Sequence, residues 1–530
     1  MRKYLYNDKA KDCEQYDFDV VIVGSGIAGL YCALNLNSEF QVAVLTKANI
    51  NESNSYFAQG GIAAVISKED QFISHIQDTL AAGAGLCDEA SVKVLVEEGP
   101  ENIRTLIDMQ IPFDVNSDGD LLITREGGHH MRRIVHCGGD ATGKETTKQL
   151  GRLAQSKENL HFFMESYMVD ILTDDKGVCG VLAFVGQEYR VIKTRNLVVA
   201  TGGIGQLYRY TTNPIGAVGD GIAAAARVGA RLNHMEMVQF HPTTLIPDDN
   251  PARLFLISEA VRGEGAILRN YRGTAFMQGK HELADLAPRD IVTREIIKEL
   301  KKNGGDRVFL DTSSMTTEFF SGRFPTIFKQ CAEQGIHLTK DFIPVRPAQH
   351  YHMGGVKTDI NGRTNIEGLF CCGECAETGI HGGNRLASNS MLECLVFGRR
   401  SARYINENFR PCDEKAVSYE TESIGQVMHT NEFFSQIEKI LKNTMTEYAG
   451  PERSFEGMLK GIAILTDLEE QLDNTFLASP YHYKVYNIKY KLKNIKPICK
   501  FVYHNFANND SNIACYDCHN EIWTFSLCAF

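Results

Sequence analysis

Residues 24 to 29, Gly-Ser-Gly-Ile-Ala-Gly, leave few folds open to this chain. They fit G-x-G-x-x-G, directly after the apolar run DFDVVIV (17–23) and directly before IAGLYCALNLN. A strand that turns on glycines into a helix gathers backbone N–H groups and the positive helix end at one point. Residues without a Cβ allow both the tight turn and the close approach of a ligand. The context predicts a bound dinucleotide with its pyrophosphate at the turn. QVAVLTK (41–47), NLVVATGG (196–203) and GLFCCGE (368–374) read as further strands. Strands so continuously apolar belong to a mostly parallel sheet covered on both faces. The fold class expected is therefore α/β, with a Rossmann-like domain around the glycine turn.

The fingerprint calls for an acidic residue at the end of the second strand, to hold a ribose hydroxyl. Thr46-Lys47 stand there instead, which disfavours ordinary NAD binding without settling the alternative. The net charge of −11 disfavours a nucleic-acid footprint, which wants a basic face. No run of about 18 apolar residues is present to span a bilayer. The opening MRKYLYNDKAKDCEQ has no apolar core after its charges, so no secretory signal is read. Fifteen cysteines without a spacing framework suit reduced thiols and a cytoplasmic location.

Between about 236 and 345 the glycine-punctuated strands give way to helical text such as PRDIVTREIIKELKK (288–302). This reads as an insertion that leaves the sheet domain and returns to it. The expected division is a discontinuous sheet domain (1–235 and 346–410), an inserted α+β domain (236–345) and a C-terminal helical region (411–530), atypical after about 480.

Four further stretches carry a resemblance: SNSYFAQGG (53–61); HPT (241–243) with SEAVRGEGA (258–266); LAPRD (286–290); and HYHMGGV (350–356) with GECAETGIHGGNRLASNSMLECLVFG (373–398). Together they resemble the flavoprotein family of succinate dehydrogenase and fumarate reductase, and within it the branch that oxidises L-aspartate. The resemblance covers roughly residues 17–410. It implies FAD as cofactor, with the insertion as a capping domain and oxygen or fumarate as electron acceptor. It also implies oxidation of L-aspartate to iminoaspartate, the first step of de novo NAD biosynthesis, with a hand-off to quinolinate synthase.

The resemblance also implies roles residue by residue. FAD contacts fall on Gly24, Ser25, Gly26, Ile27, Ala28, Gly29 and Lys47, on Asn54, Ser55, Ala58, Gln59, Gly60 and Gly61, and on Asp220, Glu374, Asn389, Ser390 and Met391. Membrane-bound relatives carry a flavin-linked histidine where Asn54 stands. An amide cannot form that bond, so FAD is expected to be held non-covalently. Arg289, His241, His350, Arg385 and Glu259 take the catalytic positions. Arg289 resembles the residue that moves protons to and from substrate carbon, with Glu259 and Arg262 as a relay. Substrate contacts fall on His241, His350, Arg385, Ser258, Gln239 and Glu126. Guanidinium groups fork two donors at a carboxylate, which suits a dicarboxylate. Glu126, in ITREGGHHMRRIVH (123–136), matches an acid beside the substrate. A carboxylate there favours an α-ammonium group and repels a plain dicarboxylate.

Ser390-Met-Leu-Glu393 spells a capping box at a helix start. Cys372-Gly-Glu-Cys375 spells C-x-x-C within the flavin motif, and Cys515-Tyr-Asp-Cys518-His519 spells C-x-x-C-H; neither is assigned a metal or haem. Two other readings stay open at this level: a soluble fumarate reductase or succinate dehydrogenase flavoprotein subunit, and a non-catalytic flavin-binding scaffold.

Overall fold

The apolar runs do assemble into one sheet. In the computed structural model, which describes residues 3–6, 12–247, 251–338, 340–412, 417, 429–473 and the strands Ile513–Asp517 and Ile522–Ser526, five strands lie parallel. Their order is Leu369–Cys371, Leu197–Val199, Val20–Val23, Val42–Leu45, Leu160–Phe163. Alternate residues face opposite cores, as the two-residue strand period requires. Val20, Ile22, Val42, Val44 and Val198 pack with helices Ile27–Asn35, Glu89–Asp108 and Asn389–Glu407. Val21, Val23, Ala43, Leu45 and Val199 face a second core, shared with helices Asn431–Tyr448 and Phe455–Asp473. Both faces are thus covered, as an all-parallel sheet needs.

A four-stranded sheet lies beside it, in the order Glu14–Asp17, Glu188–Lys193, Gly177–Val185, Tyr167–Asp174. A third sheet is antiparallel and has its own core: Phe255–Leu256, Val238–Leu245, Ile343–His352, Val308–Asp311, Ile267–Arg269. Helix Arg289–Asn303 packs on it, over the span the sequence marks as helical. The pairing of Val238–Leu245 with Ile343–His352 slips between Gln239 and Phe240, and again between His241 and Thr244. Such bulges re-aim side chains, and His241 stands at one of them.

In the C-terminal region, Ile513–Asp517 pairs antiparallel with Ile522–Ser526. Cys518 and His519 of the C-x-x-C-H run lie outside the described residues. Among the described residues, no helix is long and apolar enough to cross a membrane.

Candidate active site

One cleft of about 400 Å³ runs from the glycine turn to a group of buried arginines and histidines. At the first end, Gly24 has φ +118°, and a Cβ there would collide with the Ala200 carbonyl. A Cβ at Gly29 would collide with the Gly24 carbonyl, so that glycine lets helix and strand pack together. Helix Ile27–Asn35 starts at Gly26, which has no side chain to cap it, so the first-turn amides beyond Ile27 are left for a ligand. Ser55 Oγ accepts from Ile27 N at 3.1 Å, tying the second glycine-rich loop to the first. Lys47 Nζ lies 2.7 Å from Asp220 and donates to Gly216 O, so the lysine replacing the expected acid is itself held by one.

Between the two ends lie Asn54 and Glu374. Asn54 Nδ2 donates to Glu374 Oε2 at 2.8 Å, and His352 N donates to Oε1 at 3.0 Å. Burial outweighs these two donors and lifts the Glu374 carboxyl to about 7. Gln59 Nε2 donates to Leu256 O, while its Oε1 is buried with no partner. A helix start bonded only at Ile27, a glycine cradle and an orphaned buried amide oxygen fit a long dinucleotide such as FAD.

The other end is cationic. Arg289 Nη1 and Arg385 Nη2 both donate to Gln239 Oε1, at 3.2 and 3.1 Å. Arg289 Nε also donates to Glu259 Oε2 at 2.6 Å. Burial would raise the Glu259 carboxyl, but Arg289 and Arg262 together hold it below the usual range. Arg262 is fully buried, with Nη2 at 3.8 Å from Glu259 Oε1 and Nη1 on the Asp285 carbonyl.

Arg385 has no such acid. Among the described residues, no carboxylate lies within ion-pair distance of it. Its partners are Gln239, the Ser390 hydroxyl (3.1 Å) and the face of Tyr351 (4.6 Å to the centroid), and its Nε is unpartnered. Burial, reinforced by Arg289, pulls its guanidinium down to about 10, so it is still charged at neutral pH. A buried cation with no carboxylate in direct contact is costly alone and suits a site that takes up an anion.

His241 and His350 stand ring against ring, with centroids 5.3 Å apart. Burial first, then neighbouring arginines, holds both well below the ordinary imidazole range. They are neutral at pH 7 and present neutral hydrogen-bonding groups. His350 Nδ1 lies 2.9 Å from Thr212 Oγ1, and His241 Nδ1 lies 3.2 Å from both Thr243 N and Thr243 O.

The 123–136 loop closes on this end. Ser388 Oγ donates to Glu126 Oε2 at 2.6 Å, and Gly127 packs so tightly on Glu259 that a Cβ would strike its carboxylate. The loop is anchored behind by fully buried Arg133, which pairs with Asp70 at 2.8 Å and Asp78 at 2.5 Å.

The structure brings most of the sequence-derived set to the cleft wall: Gly24, Ser25, Gly26, Ala28, Lys47, Asn54, Ser55, Ala58, Gln59, Gly60, Gly61, Glu374, Ser390 and Met391 toward the dinucleotide end, and Glu126, His241, Ser258, Glu259, Arg289, His350 and Arg385 toward the cationic end. Five stand behind the wall. Ile27 and Gly29 are buried in the helix, and Asp220 holds Lys47. Gln239 bridges the two arginines, and the Asn389 amide is used by His75 (2.9 Å) and Thr79 (3.0 Å). The capping box is corrected. Ser388, with φ +62°, is the N-cap and makes no side-chain cap bond. Ser390 accepts from Arg385, and Glu393 turns inward to Tyr351, Thr378 and His381. Three buried partners hold the Glu393 carboxylate away from the helix start. Sequence reasoning passed over Tyr351 and Thr212. Tyr351 sits beside His350 in HYHMGGV, but its aromatic text gives no sign that it lies under Arg385. Lys144 and Arg253, with Arg253 stacked on Phe57 at 3.9 Å, also line the cleft unforeseen. Among the described residues, no three His, Cys, Asp or Glu gather as for a metal ion.

The family described as FAD binding domain matches residues 19–391. L-aspartate oxidase of Streptomyces coelicolor is 47% identical over 72% of this chain and 67% of its own length. L-aspartate oxidase 1 of Ralstonia nicotianae is 48% identical over 73% of this chain and 74% of its own. L-aspartate oxidase of Yersinia pestis is 38% identical over 91% and 92%. Among solved structures, a variant of E. coli quinol fumarate reductase superimposes with TM-score 0.84 at 29% identity, covering 97% of this chain and 96% of that one.

Proposed function

Since the chain belongs to the L-aspartate oxidase family of FAD-binding flavoproteins, we propose that it oxidises L-aspartate to iminoaspartate, with oxygen or fumarate as electron acceptor. This is the opening reaction of de novo NAD biosynthesis. The observation that carries the substrate reading is Arg385: a buried guanidinium with no carboxylate of its own, 3.1 Å from an amide oxygen it shares with Arg289.

FAD, when bound, supplies the acceptor for the hydride that leaves C2 and passes the electrons on, giving hydrogen peroxide from oxygen or succinate from fumarate. The chain's own residues orient and neutralise the substrate. Arg385, His350 and His241 hold its carboxylates, with Ser258 as a further donor, and Gln239 fixes the spacing of the two arginines. Neutral imidazoles donate to an anion without adding charge that would trap product. Glu126 holds the α-ammonium group, which distinguishes L-aspartate from succinate. Arg289, backed by Glu259 and Arg262, moves the proton at substrate carbon in the fumarate-reducing direction. A free guanidinium is a poor base, so its pairing with Glu259 matters. The insertion of 236–345, with its antiparallel sheet, acts as the cap that excludes water. Asn54 leaves the flavin untethered. Iminoaspartate then passes to quinolinate synthase.

Aerobic turnover with L-aspartate, D-aspartate and succinate tests the reading through peroxide release. L-aspartate alone should yield peroxide at a substantial rate. Turnover of succinate with a dye, and none of L-aspartate, would assign the chain to the succinate and fumarate chemistry instead.

A further inference from the structure

We propose that Tyr351 is a positioning residue for the substrate-binding Arg385, and that buried Glu393 behind it sets the strength of that hold; this rests on the dicarboxylate reading of the site. Arg385 lies over the Tyr351 ring at 4.6 Å. An aromatic face attracts a cation most when both are out of water, and here both are buried. The phenol O–H donates to Glu393 Oε2 at 2.6 Å. Glu393 is 1% exposed and also accepts from Thr378 at 2.6 Å, and His381 Nε2 lies 3.0 Å away. Burial pushes the Tyr351 phenol well above its ordinary range and Glu393 pushes it further, so the ring is neutral and its proton points at the carboxylate. A phenol that donates to an anion carries more electron density on its face.

The result is a stack: carboxylate, phenol ring, guanidinium, substrate carboxylate. Glu393 counters the charge of Arg385 from behind the ring. An acid in direct contact would occupy the donors that the substrate needs. Glu259 makes such direct contact with Arg289, and the contrast assigns the two arginines different tasks. Arg289 is neutralised and proton-linked, whereas Arg385 is kept free to bind.

The test is the dissociation constant of succinate, read from the flavin absorbance of holoprotein, in wild type and three variants. Tyr351→Leu removes the face and should weaken succinate roughly 30-fold. Tyr351→Phe keeps the face and should recover to within about 3-fold of wild type. Glu393→Gln keeps the shape without the charge and should weaken succinate roughly 3- to 10-fold. Flavin content and unfolding temperature are measured alongside. A merely structural role would make Phe and Leu differ in stability, with no matching order in succinate affinity. Should Phe be as weak as Leu, or Leu as tight as wild type, the proposal is overturned. Where Leu fails to fold, the Phe and Glu393→Gln pair decides: unchanged affinity in Glu393→Gln overturns it. If wild type itself binds neither succinate nor L-aspartate, the functional reading fails instead.

Discussion

Glu126→Gln is the substitution that most sharply separates an amino-acid substrate from a plain dicarboxylate. The Glu126 carboxylate accepts from the Ser388 hydroxyl at 2.6 Å, and among the described residues no cation pairs with it. A glutamine carbonyl accepts the same bond, so the loop stays in place and only the charge is lost. A carboxylate and an ammonium about 4 Å apart attract by about 4 kcal/mol at an effective dielectric of about 20. Glu126 is only partly buried, and water screens about half of that. What remains, about 2 kcal/mol, matches a charge-assisted hydrogen bond and equals roughly a 30-fold fall in kcat/KM for L-aspartate. Fumarate has no ammonium group, and the lost charge removes a repulsion, so its reduction should hold or improve slightly. The assay is kcat/KM for L-aspartate oxidation and for fumarate reduction by a dye, on one preparation with matched flavin content. Equal losses for both substrates, or no loss for L-aspartate, would refute the role of Glu126.

Three further outcomes are expected. Arg289→Leu should cut fumarate reduction by at least about 100-fold, the usual scale of a lost proton-transfer group, while FAD stays bound; steady-state kinetics and absorbance check this. Acid precipitation should leave all flavin in the supernatant, because Asn54 offers no atom for a covalent bond; flavin retained on the pellet contradicts it. Burial holds the Glu374 carboxyl at about 7, above its ordinary 4.5, so the folded flavin-free protein keeps a proton that the unfolded chain has released. Its stability should therefore fall as pH rises from 4.5 to 7, by on the order of 3 kcal/mol. Denaturant melts of Glu374→Gln should lose that slope, and an unchanged slope would assign it to other groups.

The parallel sheet was legible because its strands are buried on both faces, which leaves uninterrupted apolar text such as VVIV and VAVL. The glycine turn was legible because its backbone geometry excludes side chains. The strands Tyr167–Asp174, Gly177–Val185 and Glu188–Lys193 passed unread. Polar residues interrupt Tyr167–Asp174 and Glu188–Lys193, and GVCGVLAFV (177–185) is an apolar run broken by glycines with no alternation to mark it. At the site, motif text located residues but not their directions. Ser390 and Glu393 have the spacing of a capping box, yet buried partners distant in sequence decided both side chains. The Asn389 amide likewise turns from the cleft to His75 and Thr79, on a helix 310 residues away in the chain. Gln239 could be named from its place before His241, but its use as a bridge between two guanidiniums depends on the bulged pairing of two strands. Tyr351 was hidden because a buried tyrosine looks like core until something cationic is found on its face.

The central claim is that a flavin held in this cleft faces a pocket built for an aminated four-carbon diacid. Anaerobic mixing of holoprotein with L-aspartate tests it in one step, followed at the flavin absorbance. The account predicts bleaching with L-aspartate and recovery of colour on adding fumarate or air, with D-aspartate inert. Flavin that keeps its full absorbance under excess L-aspartate, in protein that bleaches with dithionite, would contradict it.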